Sequence, residues 1–354
     1  MRAREHPLVA FLRDRNEAGG FDQMAWARAV AAAHETGLIA RMAAGAEGLP
    51  MPRPVALHLE EQSARMPHEL TVARYEIGQI AAVFSEAGIP AMLLKGAAYV
   101  AGELELSRTR IFEDFDVLVP KSELDAAEAW LRSHDWMAAP KSALDRQYFR
   151  EWLHEVAPLV HTERNTTLDL HHNILPSTDR LAFDAALLWE AAKRLPRGLW
   201  VLGPDDQVLH CAVHLFRNGE FRHGLRDLHD LHLLLSARAA EDESFWLTLL
   251  DRARQLSLRQ PFALALRYAR GLFDTPVPEW AAARTRSWVS DVFCRAFDVL
   301  VDRALLPRYR FRTDLWRNRA VTALSYWPVP RFRVMATWLF WAKRFDRKTG
   351  LPPA

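Results

Sequence analysis

The sequence predicts an α+β protein in which a small sheet is flanked by an N-terminal helical segment and a helical C-terminal domain. Three observations predict this fold class. The first 60 residues have an Ala-rich pattern with apolar residues at helical spacing. Between Pro90 and Pro176 the apolar segments shorten and their period approaches two, which is typical of strands. After Pro176 the strand signals stop, and helical patterns separated by Pro and Gly follow. The predicted boundaries are 1–60, 61–176 and 177–354.

Composition limits the functional classes. The chain has 354 residues, 50% of them apolar, and a net charge of only +2, which excludes a general polyanion binder. Its two cysteines, Cys211 and Cys294, are far apart and fit a reducing compartment. The N-terminus lacks the cleavage site of a signal peptide, and no apolar run is long enough to span a membrane. We expect a cytoplasmic globular protein with no clear nucleic-acid partner.

The N-terminal helical segment is predicted from the run FDQMAWARAVAAAHETGLIARMAAGA, which keeps one amphipathic face. The motif GLPMPRP follows and should interrupt the helix, because Gly and Pro disfavour helix interiors. A second helix is predicted from about Leu59 to Ala87. Gly88 suits the left-handed conformation that commonly ends a helix.

Four short segments in the middle of the chain predict strands, namely AMLLK, IFEDFDVLV, APLVH and TTLDLHH. Only TERN separates the last two, so we expect a hairpin there. Helix-length stretches lie between the strands at Ala97–Leu104 and Lys121–Trp136. The middle of the chain is therefore predicted to alternate strands and helices over about 90 residues.

The strand IFEDFDVLV carries the chemistry that is easiest to interpret. Asp114 and Asp116 are two residues apart, so a strand would place both carboxylates on one face. Like charges at that distance repel unless a cation separates them, and Mg²⁺ prefers oxygen ligands. A lone Asp-x-Asp is more often a solvated edge strand. Asp169, on the last predicted strand, would add a third carboxylate, and three carboxylates can hold two metal ions.

A candidate phosphate site precedes these acids. Gly96 and Ala97 follow the first strand and open a helix, where backbone N–H groups can face an anion. Lys95 would add a point charge, and Arg110 could bind triphosphate oxygens. Taken alone, this segment is more often an ordinary turn between strand and helix.

In combination these motifs resemble the nucleotidyltransferase superfamily, which has the DNA polymerase β-like fold, and in particular its uncharacterised bacterial branch. An LKG turn falls on Leu94–Gly96, an Arg-x-x-x-Asp-x-Asp-x-Leu-Val strand on Arg110–Val119, and Asp-Leu-His on Asp169–His171. The resemblance extends over about residues 70 to 345. One departure is Ala97, where the superfamily usually has Gly or Ser, so a hydroxyl ligand is missing.

The resemblance implies a small mixed-sheet core that transfers an NMP from an NTP, with ATP the expected nucleotide, to an acceptor, releasing pyrophosphate. The acceptor would be a small molecule, a peptide or a protein. Asp114, Asp116 and Asp169 would be catalytic and would bind Mg²⁺ or Mn²⁺. The implied nucleotide-binding residues are Lys95, Gly96, Ala97 and Arg110. From their positions in the sequence, Arg226 is a further candidate for a base or ribose contact, and His171 would orient Asp169, touch the nucleotide or only satisfy a hydrogen bond. The alternative is an inactive nucleotide-binding or regulatory protein that keeps this fold.

Other patterns leave alternatives open. His210 and His214 share a helix face and would serve a metal-dependent hydrolase, but HCAVH lacks the glutamate of HExxH, so a packing role is favoured. Around Arg226, the acids Asp227 and Asp230 could reach the cleft, although a solvated helix face is the more common interpretation.

The C-terminal stretch from about residue 303 to 348 is rich in basic residues and has four interspersed tryptophans. This composition suits RNA, an anionic membrane surface or a protein partner, but a packed amphipathic domain is favoured. The four tryptophans are Trp316, Trp327, Trp338 and Trp341.

Overall fold

The structure, a computed structural model, describes residues 2–138, 154–217, 221, 223–242 and 244–306. The four C-terminal tryptophans and the basic residues around them, from 307 onward, lie outside this part of the chain. The strands are β1 (Met92–Leu93), β2 (Phe115–Leu118), β3 (Trp136–Ala138), β4 (Leu159–His161), β5 (Thr167–His171), β6 (Lys193–Arg194) and β7 (Trp200–Val201).

The helices lie on both sides of these strands in the sequence. The first six are α1 (Pro7–Arg13), α2 (Gln23–Glu35), α3 (Ile39–Ala46), α4 (Arg53–Ala87), α5 (Lys95–Ala101) and α6 (Leu124–Ser133). After β5 come α7 (Ala186–Glu190), α8 (Pro204–Arg217), α9 (Gly224–Glu241), α10 (Phe245–Gln255), α11 (Arg259–Phe273), α12 (Glu279–Arg286) and α13 (Asp291–Ala304). Short 3₁₀ helices occupy Arg2–Glu5, Arg15–Gly20, Glu105–Thr109, Lys121–Glu123 and Pro196–Gly198.

The strands form one mixed sheet in the order β3-β4-β5-β2-β1-β7-β6. β2 pairs parallel with β5 and antiparallel with β1, while β1 pairs parallel with β7. The β4–β5 pair is antiparallel, as expected for the predicted hairpin. The predicted α+β class and mixed sheet are therefore confirmed, and all four predicted strands are present.

Three strands were not expected from the sequence. β6 and β7 form a hairpin that extends the sheet beside β1, so the prediction that strands end at Pro176 is wrong. Each has only two residues, too few to show a period of two. β3 begins at Trp136, which the sequence pattern places in a helix. That helix ends at Ser133, and Asp135 has a left-handed φ of +64° that redirects the chain.

Helix α4 begins earlier than predicted. It starts at Arg53, within the expected breaker motif, because Pro54 lies in the first turn, where its missing N–H has no intrahelical partner to lose. Its C-terminus agrees with the prediction, since Gly88 adopts a left-handed φ of +68°. Among the described helices, this 35-residue one included, none is both long and apolar enough to cross a membrane.

The sheet is covered on both faces, and the two faces belong to different cores. Side chains such as Leu93, Val117 and Leu170 pack in one core with residues of α4, α5 and α6. Met92 and Leu118 point the other way, into a larger core that joins α1–α3 to the C-terminal helices. Because side chains alternate along a strand, Asp116 lies on the face of Leu118. The acidic residues of the sheet therefore face the helical C-terminal half.

Candidate active site

Two aspartates lie next to each other on the central pair of strands. The parallel register of β2 and β5 places Asp116 beside Asp169. Neighbouring strands are about 4.8 Å apart, so these carboxylates project side by side from one face of the sheet. Asp114 comes just before β2, two residues from Asp116. The structure thus brings the three predicted acids to one end of the sheet.

Asp116 is buried and contacts two basic side chains. Its Oδ1 accepts a hydrogen bond from Lys95 Nζ at 2.8 Å and lies 2.9 Å from His171 Nε2. Burial alone would raise the pKa of Asp116, but Lys95 and His171 outweigh it and hold the pKa well below its usual value. The same contacts raise the pKa of Lys95 and of His171, although burial opposes this. Asp116 is therefore held in its ionised form.

The pKa values of Asp169 and Asp114 are raised, whereas that of Asp116 is lowered. Burial, with the negative charges of Asp116 and Asp114, raises the pKa of Asp169 to about 7. Desolvation and the charge of Asp116 also raise the pKa of Asp114. Among the described residues, the buried Oδ1 of Asp169 has no hydrogen-bond partner. Such a buried, unpartnered oxygen costs free energy unless a proton or a cation compensates it.

These three residues fit a divalent cation. Carboxylate oxygens are the ligands that Mg²⁺ and Mn²⁺ prefer, and a bound cation would relieve the repulsion that raises the pKa values of Asp114 and Asp169. The unpartnered Oδ1 of Asp169 would become a ligand atom. Asp116, in register with Asp169, could bind the same ion.

Asp114 and Asp116 line a pocket whose wall contains both basic side chains and carboxylates. The charged residues that line it are Lys95, Arg110, Glu113, Asp114, Asp116, Arg226 and Asp227. Apolar surface comes from Ile111 and Phe112, and two histidines, His214 and His223, complete the wall. This pocket can therefore bind a polyanion near its cations while its carboxylates hold a metal ion.

Helix α9 contributes a buried carboxylate to the pocket. Asp227 lies 3.3 Å from Arg226 Nε through Oδ1 and 2.9 Å from His214 Nδ1 through Oδ2. Burial would raise the pKa of Asp227, but Arg226 and His214 outweigh it and lower the pKa far below its usual value. The interpretation of this segment as a solvated helix face is therefore wrong, because Asp227 and Asp230 are both buried.

Arg110, which also lines the pocket, is largely buried in a network of ion pairs. Its Nη1 contacts Oδ2 of Asp230, and its guanidinium lies over the ring of Tyr99, 5.6 Å from the centroid. The second oxygen of Asp230 pairs with Arg41 Nη1 at 2.8 Å. Asp230 thus pairs with Arg41 of the N-terminal helices and with Arg110, which precedes β2. These ion pairs hold Arg110 in the pocket wall.

Gly96 is required because Arg110 approaches it closely. A Cβ at this position would lie 2.8 Å from Arg110 Nε and 2.9 Å from Phe112 Cε1. We expect Gly96→Ala to lower the free energy of unfolding by about 1–3 kcal/mol, because an overpacked buried contact must move. Denaturant unfolding measures this loss.

The control for this substitution is Gly19→Ala, where a Cβ would meet no atom within 4 Å. It should leave stability nearly unchanged. If Gly96→Ala proves as stable as this control, Arg110 and Phe112 do not constrain residue 96.

Two residues of the predicted nucleotide-binding set lie away from the pocket wall. The methyl group of Ala97 is buried in the core beneath the sheet, so only its backbone could face a ligand. His171 lies beside Asp116 and does not line the pocket. The other members, Lys95, Gly96, Arg110 and Arg226, line it directly.

The two histidines of α8 have different surroundings: His210 is buried in the protein interior, and His214 lines the pocket. His210 is buried, and burial lowers its pKa well below the usual value. His214 lines the pocket that also contains Asp114, as the hydrolase interpretation requires, but its Nδ1 contacts Asp227. Among the described residues, the histidine-containing group with the spacing of metal ligands consists of His154, Glu155 and His171, and neither His210 nor His214 belongs to it.

Sequence reasoning missed several residues around the acids. Glu155 and His154 precede β4 and reach His171 through an antiparallel bridge between Glu155 and His171. His223 lies before α9, and Arg41 comes from the N-terminal helices. None belongs to a recognisable motif, and only tertiary structure brings them to the site.

A family described as "Uncharacterised nucleotidyltransferase" matches residues 22–274, well over half of the chain. The match begins earlier than the motifs suggested and includes α2 and α3. No curated protein and no solved structure matches the chain.

Proposed function

The chain belongs to this nucleotidyltransferase family, and on that premise we propose that it transfers an NMP from an NTP to an acceptor hydroxyl or similar group. The observation that carries the proposal is the parallel register that places Asp169 beside Asp116, which lines one pocket together with Asp114. ATP is the first nucleotide to test. The acceptor is a small molecule, a peptide or a protein.

In the proposed reaction, an acceptor oxygen attacks the α-phosphorus of the NTP. A new P–O bond forms while the bond from the α-phosphorus to the bridging oxygen breaks, and pyrophosphate leaves with the electron pair. The acceptor's proton passes to Oδ2 of the Asp169 carboxylate, because Oδ1 is the proposed metal-ligand atom. No oxidant or further reactant is needed.

Asp114, Asp116 and Asp169 are the proposed metal ligands. When bound there, Mg²⁺ or Mn²⁺ would polarise the phosphoryl oxygens and offset the negative charge of the transition state. Lys95 orients Asp116 through its 2.8 Å hydrogen bond and directs positive charge towards the phosphates. Arg226 and Arg110 line the same wall and would bind the leaving pyrophosphate. Phe112 and Ile111 offer apolar surface for the nucleoside.

The test is transfer of label from each α-³²P NTP to components of a cell extract, with Mg²⁺ or Mn²⁺ present. We expect a labelled product and an equal amount of pyrophosphate, and neither when a chelator removes the metal. Pyrophosphate release that continues in the chelator would contradict the metal dependence, and no label from any NTP would contradict transfer.

A second candidate is a nucleotide-binding or regulatory protein without catalysis. It is favoured by the contacts of Asp116, because Lys95 and His171 both reach its Oδ1 and neutralise the carboxylate without a metal ion. This candidate predicts that an NTP raises the melting temperature while no pyrophosphate appears with any acceptor fraction. The two measurements together separate the candidates.

A further inference from the structure

A second group of potential metal ligands lies on the far side of His171 from Asp116. One ligand atom from each of His154, Glu155 and His171 lies within 4.8 Å of the others. His171 Nδ1 lies 3.4 Å from Glu155 Oε2. The rings of His154 and His171 are stacked, with centroids 5.3 Å apart. The group contains two imidazoles and one carboxylate.

We propose that His154, Glu155 and His171 form a binding site for a divalent transition-metal ion of the Zn²⁺ class. Two histidines and a glutamate with an open fourth position are a ligand set that zinc accepts, and imidazole selects against Mg²⁺. The site is separate from the three aspartates proposed above. The proposed metal site does not depend on the proposed nucleotidyltransferase activity, and Zn²⁺ binding can be tested without a nucleotide.

Unpartnered nitrogens point to a ligand at this site. His154 is only 6% exposed, and its Nδ1 has no hydrogen-bond partner among the described residues. The Nδ1 of His171 is likewise buried without one. A polar nitrogen buried without a partner costs free energy, and in the neutral imidazole that a metal ion binds it presents a lone pair. A metal ion would compensate both nitrogens at once.

The contact between His171 and Asp116 determines which ring nitrogen of His171 is available to a metal ion. Its Nε2 lies 2.9 Å from Asp116 Oδ1 and keeps a proton for that carboxylate, so Nδ1, which faces Glu155, is the nitrogen that would bind a metal ion in place of a proton. Metal-binding histidines commonly donate their second N–H to a carboxylate, which fixes the ring and makes it a better ligand. Asp116 supplies that carboxylate here.

The backbone holds the ligands in place. His172 N donates to His154 O at 2.8 Å, and Val156 N donates to Leu170 O at 2.9 Å, on either side of the Glu155–His171 bridge. Ligand atoms around a tetrahedral ion at about 2.0–2.2 Å lie about 3.3–3.6 Å apart. The Glu155–His171 pair already has this spacing, and the ligand atom of His154 lies within 4.8 Å of both.

The site is tested by titrating the full-length protein with Zn²⁺ in a calorimeter, in excess Mg²⁺ so that the aspartates are occupied. Co²⁺ in place of Zn²⁺ should give the visible absorption of a low-coordinate site with nitrogen ligands. We expect one site per chain. Loss of a direct ligand, in His154→Gln or Glu155→Gln, should weaken binding at least about 100-fold, since even outer-shell changes cost 10- to 100-fold.

Two controls locate the ion. The surface pair His34 and His58, whose Nε2 atoms are 2.7 Å apart, could bind zinc by itself, so His58→Ala should leave the measured site intact. Asp114→Asn should also retain it. Glu155 is partly exposed, so its substitution keeps the test valid if the buried His154 variant fails to fold. The proposal would be overturned if the wild-type protein did not bind Zn²⁺. It would also be overturned if His58→Ala or Asp114→Asn lost Zn²⁺ binding while Glu155→Gln kept it.

Discussion

Replacing both Asp114 and Asp116 with asparagine is expected to reduce label transfer from NTP by about 10³-fold or more, because the double variant removes two of the three proposed metal ligands. The amide keeps the size of each side chain but cannot carry the negative charge that binds the cation. The measurement is initial-rate release of pyrophosphate at saturating NTP and metal. Residual activity within about tenfold of wild type would contradict the assignment of these aspartates.

The two single variants separate chemistry from folding. Asp116 is buried against Lys95 and His171, so Asp116→Asn leaves two basic groups without their partner and should also lower stability. Asp114 lies at the pocket mouth, and Asp114→Asn should lose activity while its melting temperature stays near the wild-type value. Glu60→Gln, on the exposed side of α4, is a control that should change neither.

Replacing Asp230 with alanine is expected to destabilise the protein by about 3–5 kcal/mol, the largest stability loss that we predict from a single substitution. Asp230 is only 1% exposed and pairs with both Arg41 and Arg110, which are buried as well. Burial already lowers the pKa of Arg41 to about 10, which shows how unfavourable its charge is there. Removal of the shared carboxylate leaves two buried positive charges side by side.

Denaturant unfolding with a two-state fit measures this loss. Glu69→Ala is the control, because it removes a carboxylate from an exposed pair with Arg65 on α4 and should cost less than about 1 kcal/mol. An equally small effect of Asp230→Ala would show that Arg41 and Arg110 find other partners or reach water.

The features that the sequence predicts are those governed by local periodicity and by short motifs. The alternation in IFEDFDVLV predicts that Asp114 and Asp116 face the same side, and in the structure both side chains line one pocket. The end of α4 at Gly88 follows from the left-handed conformation that glycine tolerates. The division at 1–60, 61–176 and 177–354 stays a prediction.

The features that sequence reasoning missed depend on contacts between distant parts of the chain. The β6–β7 hairpin has two residues in each strand, and β7 pairs with the distant β1, a contact that no local sequence pattern indicates. Asp227 and Asp230 have the spacing of a solvated helix face, yet Arg226, His214 and the buried arginines compensate their charges. A helix pattern indicates which residues share a face, but it does not identify what packs against them.

The pairing of β2 with β5 also determines where the chain can change in length. Insertions in an exposed turn of the connection between the two strands cost little entropy, because the entropy cost of loop closure grows only slowly with loop length. A single residue added within either strand is different, since it would turn either Asp116 or Asp169 to the opposite face, beneath α4–α6. Insertions in the turn at residues 162–165, which joins β4 to β5, should therefore be tolerated far better than one-residue insertions inside Phe115–Leu118 or Thr167–His171.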